Sequence, residues 1–459
     1  MYKGIKMINL SKTSYCTGLQ CPKILWLDKN KSEEKDLSEG SEERLNTGIK
    51  VGELARSYFG LYGLVPYSEN FNEMLAETQR LLTAKTPVIC EASFSGKDGF
   101  CRVDILLCSG GSVEIVEVKS TASVKNEHFD DMAYQYHILS NCGLQVNKVS
   151  LMHINSQYER LGELNIQQLF AVEDCTKEVK EKQKETSANI RKIREIAGSE
   201  SEPDIPVGPH CDNPYPCAYK QYCGWQTDQE PVTDYSQPPI IDIPKIKAFL
   251  ETLHYPLYFL DFETFNEVIP SMDHQRPYKQ IPCQYSIHIQ AKEGAEPDHL
   301  EFLAEPGADF RRAIAEKLCA DIPQDVCVIA YHMSTEKGFI KDLANLFPDL
   351  APHLMTIHDN VKDLIVPFRQ LAWRSPAQEG SNSLKAVLPA MFPNNPDLDY
   401  SKLDLIHNGL EAAEAFADLP NRPPEEQKRI RTALLAYCRL DTLAMVKILE
   451  KLQETIRQG

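Results

Sequence analysis

The chain has 459 residues, of which 42 % are apolar and 25 % charged, with 14 cysteines and a net charge of −17. At about 150 residues per domain this suits two or three domains, and the composition excludes wholesale disorder. The net negative charge argues against a broadly basic nucleic-acid surface, yet leaves room for a narrow basic groove or for carboxylates neutralised by metal ions.

No stretch reaches the ~18 uninterrupted apolar residues of a membrane span, and the opening MYKGIKMINLSKTSYC lacks a signal peptide's apolar core. A cytoplasmic location follows as the expectation. In that reducing setting the cysteines read as core thiols and metal ligands rather than as a disulfide framework.

In chain order, residues 11–27 read as a helix with Ser11 as N-cap, residues 31–44 as a solvated connector or helix, and residues 45–59 as helical. Three β-rich runs follow at 86–94, 100–108 and 112–119, the last two separated by the turn dipeptide Gly110-Gly111. A helix near 128–140 and a strand at 147–155 complete an αβββαβ order, and residues 166–198 read as one long charged helix. Residues 200–244 are rich in proline, hold a cysteine group and lead into an exposed linker.

The second half opens with an apolar strand at 256–263. Strands near 282–290, 298–303 and 325–331 follow, with helices at 307–320, 335–347 and 425–455. The expected fold class is therefore α/β, with a first domain over 1–228, a linker over 229–248 and a second domain over 249–459.

Asp104 sits inside a strand, and Glu117-Val118-Lys119 lies in the strand across the hairpin. Residues i and i+2 of a strand share a face, so Glu117 and Lys119 project together, with Asp104 able to stand beside Glu117. Two adjacent carboxylates suit Mg²⁺ or Mn²⁺, and a neighbouring lysine can orient water and stabilise charge on an attacked phosphate. Taken alone, the tripeptide reads first as a cross-strand ion pair on a solvated sheet face, because such tripeptides are common.

The order of strand Asp, turn, strand Glu-x-Lys and a helix carrying Gln135 resembles the RecB-type branch of the PD-(D/E)xK nucleases. That resemblance implies a restriction-endonuclease-like core in which Asp104 and Glu117 hold a divalent cation. Lys119 would be the catalytic lysine, Gln135 a supporting residue and Glu91 a possible further ligand. Where many relatives carry a metal-binding histidine this chain has Thr47-Gly48-Ile49-Lys50, which implies either weaker metal affinity or substitution by Glu53, and Leu139 replaces a frequent tyrosine.

Cys211, Cys217 and Cys223 are spaced for a soft metal site that needs a fourth sulfur. Cys21 is the first candidate and Cys16 the second, with unliganded buried thiols as the alternative. One cysteine before a nuclease core and three after it resembles the iron–sulfur nucleases of the AddB and CRISPR-associated RecB-like kind. The resemblance implies a structural [4Fe-4S] cluster, with Zn²⁺ left open by the wide first gap.

In the second half, Asp261 and Glu263 share one strand face, and two adjacent buried carboxylates are costly without cations. Tyr437 and Asp441, four apart on the last helix, project together. Asp-x-Glu on a first strand and Tyr-x3-Asp on a last helix resemble the DnaQ-like 3′–5′ exonucleases, an RNase H-like mixed sheet flanked by helices. The resemblance places Glu336 at the middle-motif acid, with His332 four residues before it, and makes Tyr437 the residue that orients water. Asp363 is a further acidic candidate, and residues 380–390 resemble the helix that follows the middle motif. Lys337, Lys341, Arg369, Arg374 and Lys385 are candidates for phosphate contacts.

Together the resemblances imply a fusion of two metal-dependent nuclease modules acting on nucleic acid, DNA before RNA. The competing class is a catalytically impaired nucleic-acid-binding or scaffold protein that keeps both folds.

Overall fold

The computed structural model describes residues 10–36, 40–225 and 237–458. The chain forms two compact units: residues 1–228 with 268–277, and residues 229–267 with 278–459.

Unit 1 begins with helix α1 (Lys12–Gln20), whose N-cap Ser11 accepts a hydrogen bond from the Ser14 amide at 3.0 Å. Helix α2 (Pro22–Asn30) follows at once. The single helix expected over 11–27 is thus two, because Pro22 lacks an N–H and drives Cys21 into an extended conformation. Helix α3 (Gly40–Arg56), strand β1 (Gly63–Leu64) and helix α4 (Phe71–Thr83) lead to strands β2 (Val88–Gly96), β3 (Gly99–Ser109) and β4 (Ser112–Lys119). Helix α5 (Asn126–Asn141) and strand β5 (Val146–Ile154) come next.

The long helix expected over 166–198 is broken. Residues Ile166–Leu169 form the short helix α6, Phe170–Asp174 form the edge strand β6, and helix α7 starts only at Thr176 and runs to Ala197. Phe170-Ala171-Val172 is a β-favouring run that pairs antiparallel with β5, and that pairing outweighs the helical composition around it.

The six-stranded sheet has the order β1-β2-β3-β4-β5-β6. The central β2–β3–β4 meander is antiparallel, and β4 pairs parallel with β5. Its core joins Val103, Leu106, Ile115 and Leu151 of the sheet to Met132, Ile138 and Leu139 of α5 and to Val179, Ile190 and Ile193 of α7. The β2–β3 turn requires Gly99 (φ +136°): a Cβ there would lie 2.0 Å from the Tyr134 hydroxyl.

In unit 2, strand β7 (Ile240–Ile241) and helix α8 (Ile243–Leu250) precede strands β8 (Leu257–Phe265), β9 (Ile281–Gln290) and β10 (Asp298–Leu303). The expected linker over 229–248 therefore ends early: its first part, up to residue 236, lies outside the described residues, and α8 buries Ile246 and Phe249 in the core. Helix α9 (Arg311–Asp321), strand β11 (Cys327–Ala330), helices α10 (Met333–Leu346) and α11 (Ala351–Asn360), strand β12 (Val361–Asp363) and helix α12 (Val366–Arg369) follow. Strand β13 (Trp373–Arg374) pairs with β7, and helices α13 (Leu384–Met391), α14 (Gly409–Asp418) and α15 (Pro424–Gln458) close the unit.

The five-stranded sheet is mixed, in the order β10-β9-β8-β11-β12, with β8 antiparallel to β9 and parallel to β11. Successive residues of β8 serve opposite faces. Leu257 and Phe259 join the cluster of α8, α13 and α15, while Tyr258, Leu260 and Phe262 join that of α9, α10 and α11. The alternation sends Asp261 and Glu263 out on the Phe259 face, toward α15. The molecule is α/β, with two mixed sheets covered by helices, and among the described residues no helix is long and apolar enough to cross a membrane.

Candidate active sites

The hairpin register Ile105↔Val116 sets Asp104 opposite Glu117. Glu117 is 1 % exposed, and its Oε1 accepts from Lys12 Nζ at 2.6 Å and lies 2.9 Å from Lys119 Nζ. Gln135 Nε2 of α5 donates to Oε2 at 2.6 Å. Asp104 accepts from the Val118 amide at 2.8 Å. Burial and then the charge of Glu117 push its carboxyl up to about 7. Burial acts the same way on Glu117, but Lys119 and Lys12 outweigh it and hold Glu117 ionised, well below the usual range. Burial also opposes the charge on Lys119; Glu117 and Asp131 prevail and keep it protonated. Lys119 therefore carries its positive charge between Glu117 and Asp131.

Two members of this network escape the sequence reading: Lys12 at the start of α1, and Asp131, which bonds Lys119 and accepts from Cys16 Sγ at 3.0 Å. Asp131 stands one helical turn before Gln135, a spacing that could have flagged it. Glu91 is not an open ligand. Its two oxygens are each 3.0 Å from an arginine, Arg56 and Arg102, and its backbone has φ +61° inside a strand. Glu53 lies exposed on α3.

Cys21, Cys211, Cys217 and Cys223 line one small cavity with Lys23, His210 and Tyr219. Trp26, Leu27 and Tyr219 form an apolar cluster beside it, against which Cys217 and Cys223 pack. Burial pushes the thiols of Cys21, Cys217 and Cys223 up, and neighbouring cysteines of the group add to the rise. The Tyr219 amide points at Cys217 Sγ from 3.4 Å. Cys16, the second candidate for the fourth sulfur, belongs to the Asp131 network instead. The four thiols line one cavity, but no three of their sulfurs lie within 4.8 Å of one another, a spread that suits a multi-iron cluster better than a single tetrahedral ion; either would bind them as thiolates.

In unit 2, Asp261, Glu263 and Cys438 present ligand atoms within 4.8 Å of one another. Asp441 and Glu336 lie outside that 4.8 Å group but near enough for their charges to act on Asp261 and Glu263. Burial, then Asp441, Glu263 and Glu336, pushes Asp261 far above the carboxylate range. Glu263 rises to about 8 through burial and Asp441, Glu336 to about 8 chiefly through burial, and Asp441 to about 6 through burial. Glu336 Oε2 is buried without a hydrogen-bond partner. Such crowding of acids is unfavourable unless cations enter, and hard oxygen donors suit Mg²⁺ or Mn²⁺. The Cys438 thiol, raised by burial and then by Asp261 and Glu263, stays protonated and faces the Asp261 carbonyl oxygen at 3.7 Å.

Asp363 stands one step away from the group. It accepts from the His332 amide at 3.0 Å and the Ile365 amide at 3.2 Å, so it fixes the start of α10. His332 does not enter as an acid-group neighbour: with φ +65° it turns the chain into α10, and its Nδ1 lies 2.9 Å from Arg369 Nη2. Tyr437 packs at 5.9 Å between ring centroids against Tyr400, whose hydroxyl donates to Asp441 Oδ1 at 2.5 Å. Lys385 Nζ lies 5.0 Å from the Tyr400 ring centroid and 5.1 Å from that of Tyr437, and donates to the His407 carbonyl at 2.8 Å. Tyr400 and Cys438 are the members the sequence reading missed.

A family model described as a domain of unknown function (DUF2779) matches residues 258–383. The match spans Asp261, Glu263, Glu336 and Asp363, and stops before Tyr437 and Asp441. No curated protein matches the chain.

Proposed function

We propose that this chain is a metal-dependent nuclease with two centres: a RecB-like, restriction-endonuclease-like domain stabilised by a four-cysteine metal site, and a DnaQ-like, RNase H-like 3′–5′ exonuclease domain. The observation that carries the reading is the acid group of unit 2. Four carboxylates from β8, α10 and α15 act on one another there, three of them raised to between about 6 and 8 and Asp261 well above the ordinary carboxylate range. One oxygen of Glu336 is left without a partner.

Divalent ions held by Asp261, Glu263, Glu336 and Asp441 would prepare water for attack on a phosphodiester and stabilise the departing 3′ oxygen. Tyr437 would orient the water, Tyr400 fixes the Asp441 carboxylate, and Lys385 supplies positive charge beside the Tyr400 and Tyr437 rings. In unit 1, Asp104 and Glu117 would hold the cation while Lys119, kept protonated, faces the developing phosphate charge. DNA is the favoured substrate because RecB-like nucleases act on it. The thiol cavity is read as an iron–sulfur site, with Zn²⁺ as the alternative.

The test is cleavage of end-labelled single- and double-stranded DNA and RNA by the intact chain, by Asp261→Ala and by Lys119→Ala, with Mg²⁺ or Mn²⁺. Loss of 3′ mononucleotide release in the first variant and of the remaining cleavage in the second supports the assignment. Parental cleavage by both overturns it. One observation favours a second reading for unit 1, binding without turnover: protein donors already occupy both oxygens of Glu117. Metal-independent, stoichiometric DNA binding by Asp261→Ala without cleavage would establish that reading.

A further inference from the structure

Glu117 carries three donors on two oxygens: Lys12 and Lys119 on Oε1, and Gln135 on Oε2. Each carboxylate oxygen has two lone pairs, and both ammonium groups use those of Oε1, so a cation that takes Oε1 displaces one of the two. Gln135 is fully buried on α5, and Lys119 is tied to Asp131 as well as to Glu117. Lys12 is the donor at the end of a flexible arm, 20 % exposed, with Glu117 as its ion-pair partner. It is the group that can leave.

The helix beneath it is fixed. At its far end, Gln20 Nε2 donates to the carbonyls of His210 at 2.9 Å and Tyr215 at 2.7 Å, and Cys21 lines the thiol cavity. Midway, Gly18 packs so closely on Ile193 that a Cβ there would lie 2.6 Å from its side chain. With α1 held at the thiol cavity, a displaced Lys12 ammonium stays within an arm's length of the carboxylates.

We propose that Lys12 is a positioning residue of the first centre: its ammonium balances Glu117 when no divalent ion is bound, and turns to the substrate phosphate when the ion takes that oxygen. This rests on the nuclease reading of unit 1. The ammonium and the metal compete for one carboxylate oxygen, so Lys12 lowers metal affinity while serving turnover.

The experiment uses the full chain in an Asp261→Asn/Asp441→Asn background, so that Mn²⁺ binding and cleavage report on the first centre. Mn²⁺ affinity is read by electron paramagnetic resonance and cleavage on labelled DNA. Lys12→Met is expected to bind Mn²⁺ about tenfold more tightly and to cleave at least about tenfold more slowly in kcat, with Lys12→Arg recovering most of the turnover. Lys12→Gln replaces Lys12→Met if the latter does not fold. Parental Mn²⁺ affinity and parental turnover in the neutral variant overturn the role of Lys12 while leaving the nuclease reading intact. If the background protein neither binds Mn²⁺ nor cleaves, both fail together.

Discussion

The hydroxyl of Tyr400 donates to Asp441 Oδ1 at 2.5 Å, joining a loop residue to the last helix across 41 positions of sequence. This bond opposes the rise of the Asp441 carboxyl, which burial would otherwise carry further up. Tyr400→Phe removes the donor and keeps the ring that stacks by Lys385. A hydrogen bond to a charged group is worth about 1.5–3 kcal/mol, so 3′ mononucleotide release should slow by roughly 10- to 100-fold. Raising Mn²⁺ should recover part of the loss in a cation titration of the variant's rate.

The acid group of unit 2 sets a pH dependence with a definite sign. Glu263 and Glu336 are raised to about 8 and Asp441 to about 6, above the unfolded carboxylate range, so the metal-free folded state binds more protons than the unfolded chain. That contribution is complete below the unfolded pKa of about 4 and is lost as pH rises through 6 and then 8. In EDTA, the melting temperature of unit 2 should therefore fall between pH 5 and pH 8.5. Mg²⁺ or Mn²⁺ should reverse the fall, and a melting series with and without EDTA checks both statements.

Glu91 combines two arginine contacts with a positive φ inside a strand. Glu91→Ala loses the ion pairs and keeps the backbone strain, whereas Glu91→Gly loses the pairs and relieves the strain. Glycine should be the more stable of the two by about 1 kcal/mol in urea unfolding. Because the arginines hold its carboxylate, Mn²⁺ binding at the first centre should survive the glycine variant.

Cys217 and Cys16 give opposite expectations. Cys217→Ser should lower the iron or zinc content of anaerobically purified protein and reduce the melting temperature of unit 1, since Cys217 lines the thiol cavity. Cys16→Ser keeps a donor for Asp131 and should leave metal content unchanged. Elemental analysis of the two variants beside the parent decides it.

Periodic and local features were legible in the sequence. The strands β2 to β5 and β8 to β11 follow from β-rich runs bounded by turn residues, and the shared face of Asp261 and Glu263 follows from the two-residue strand period. Features set by tertiary pairing were not. The β6 strand inside a charged, helix-like stretch exists because β5 offers an edge, whereas the break at Cys21-Pro22 was legible in Pro22 itself and the single-helix reading passed over it. Tyr400 lies in a single 3-10 turn with no periodic signal, so its place beside Asp441 depends on how the 392–408 segment returns to α15. Lys12 was hidden for a different reason: a lysine just inside a helix N-terminus looks like a solvated residue until the partner 105 positions away is known.

That Cys21 and Cys211, 190 positions apart in sequence, line the same thiol cavity has a consequence for biosynthesis. The entire six-stranded sheet is encoded between them. A ribosome adding about 5–20 residues per second therefore leaves the first helices waiting for on the order of ten seconds or more before the facing wall emerges. On the reading of the thiol cavity as a metal site, chains made without the metal should stop at that stage, recognisable by protease-sensitive amino-terminal helices on an already ordered sheet.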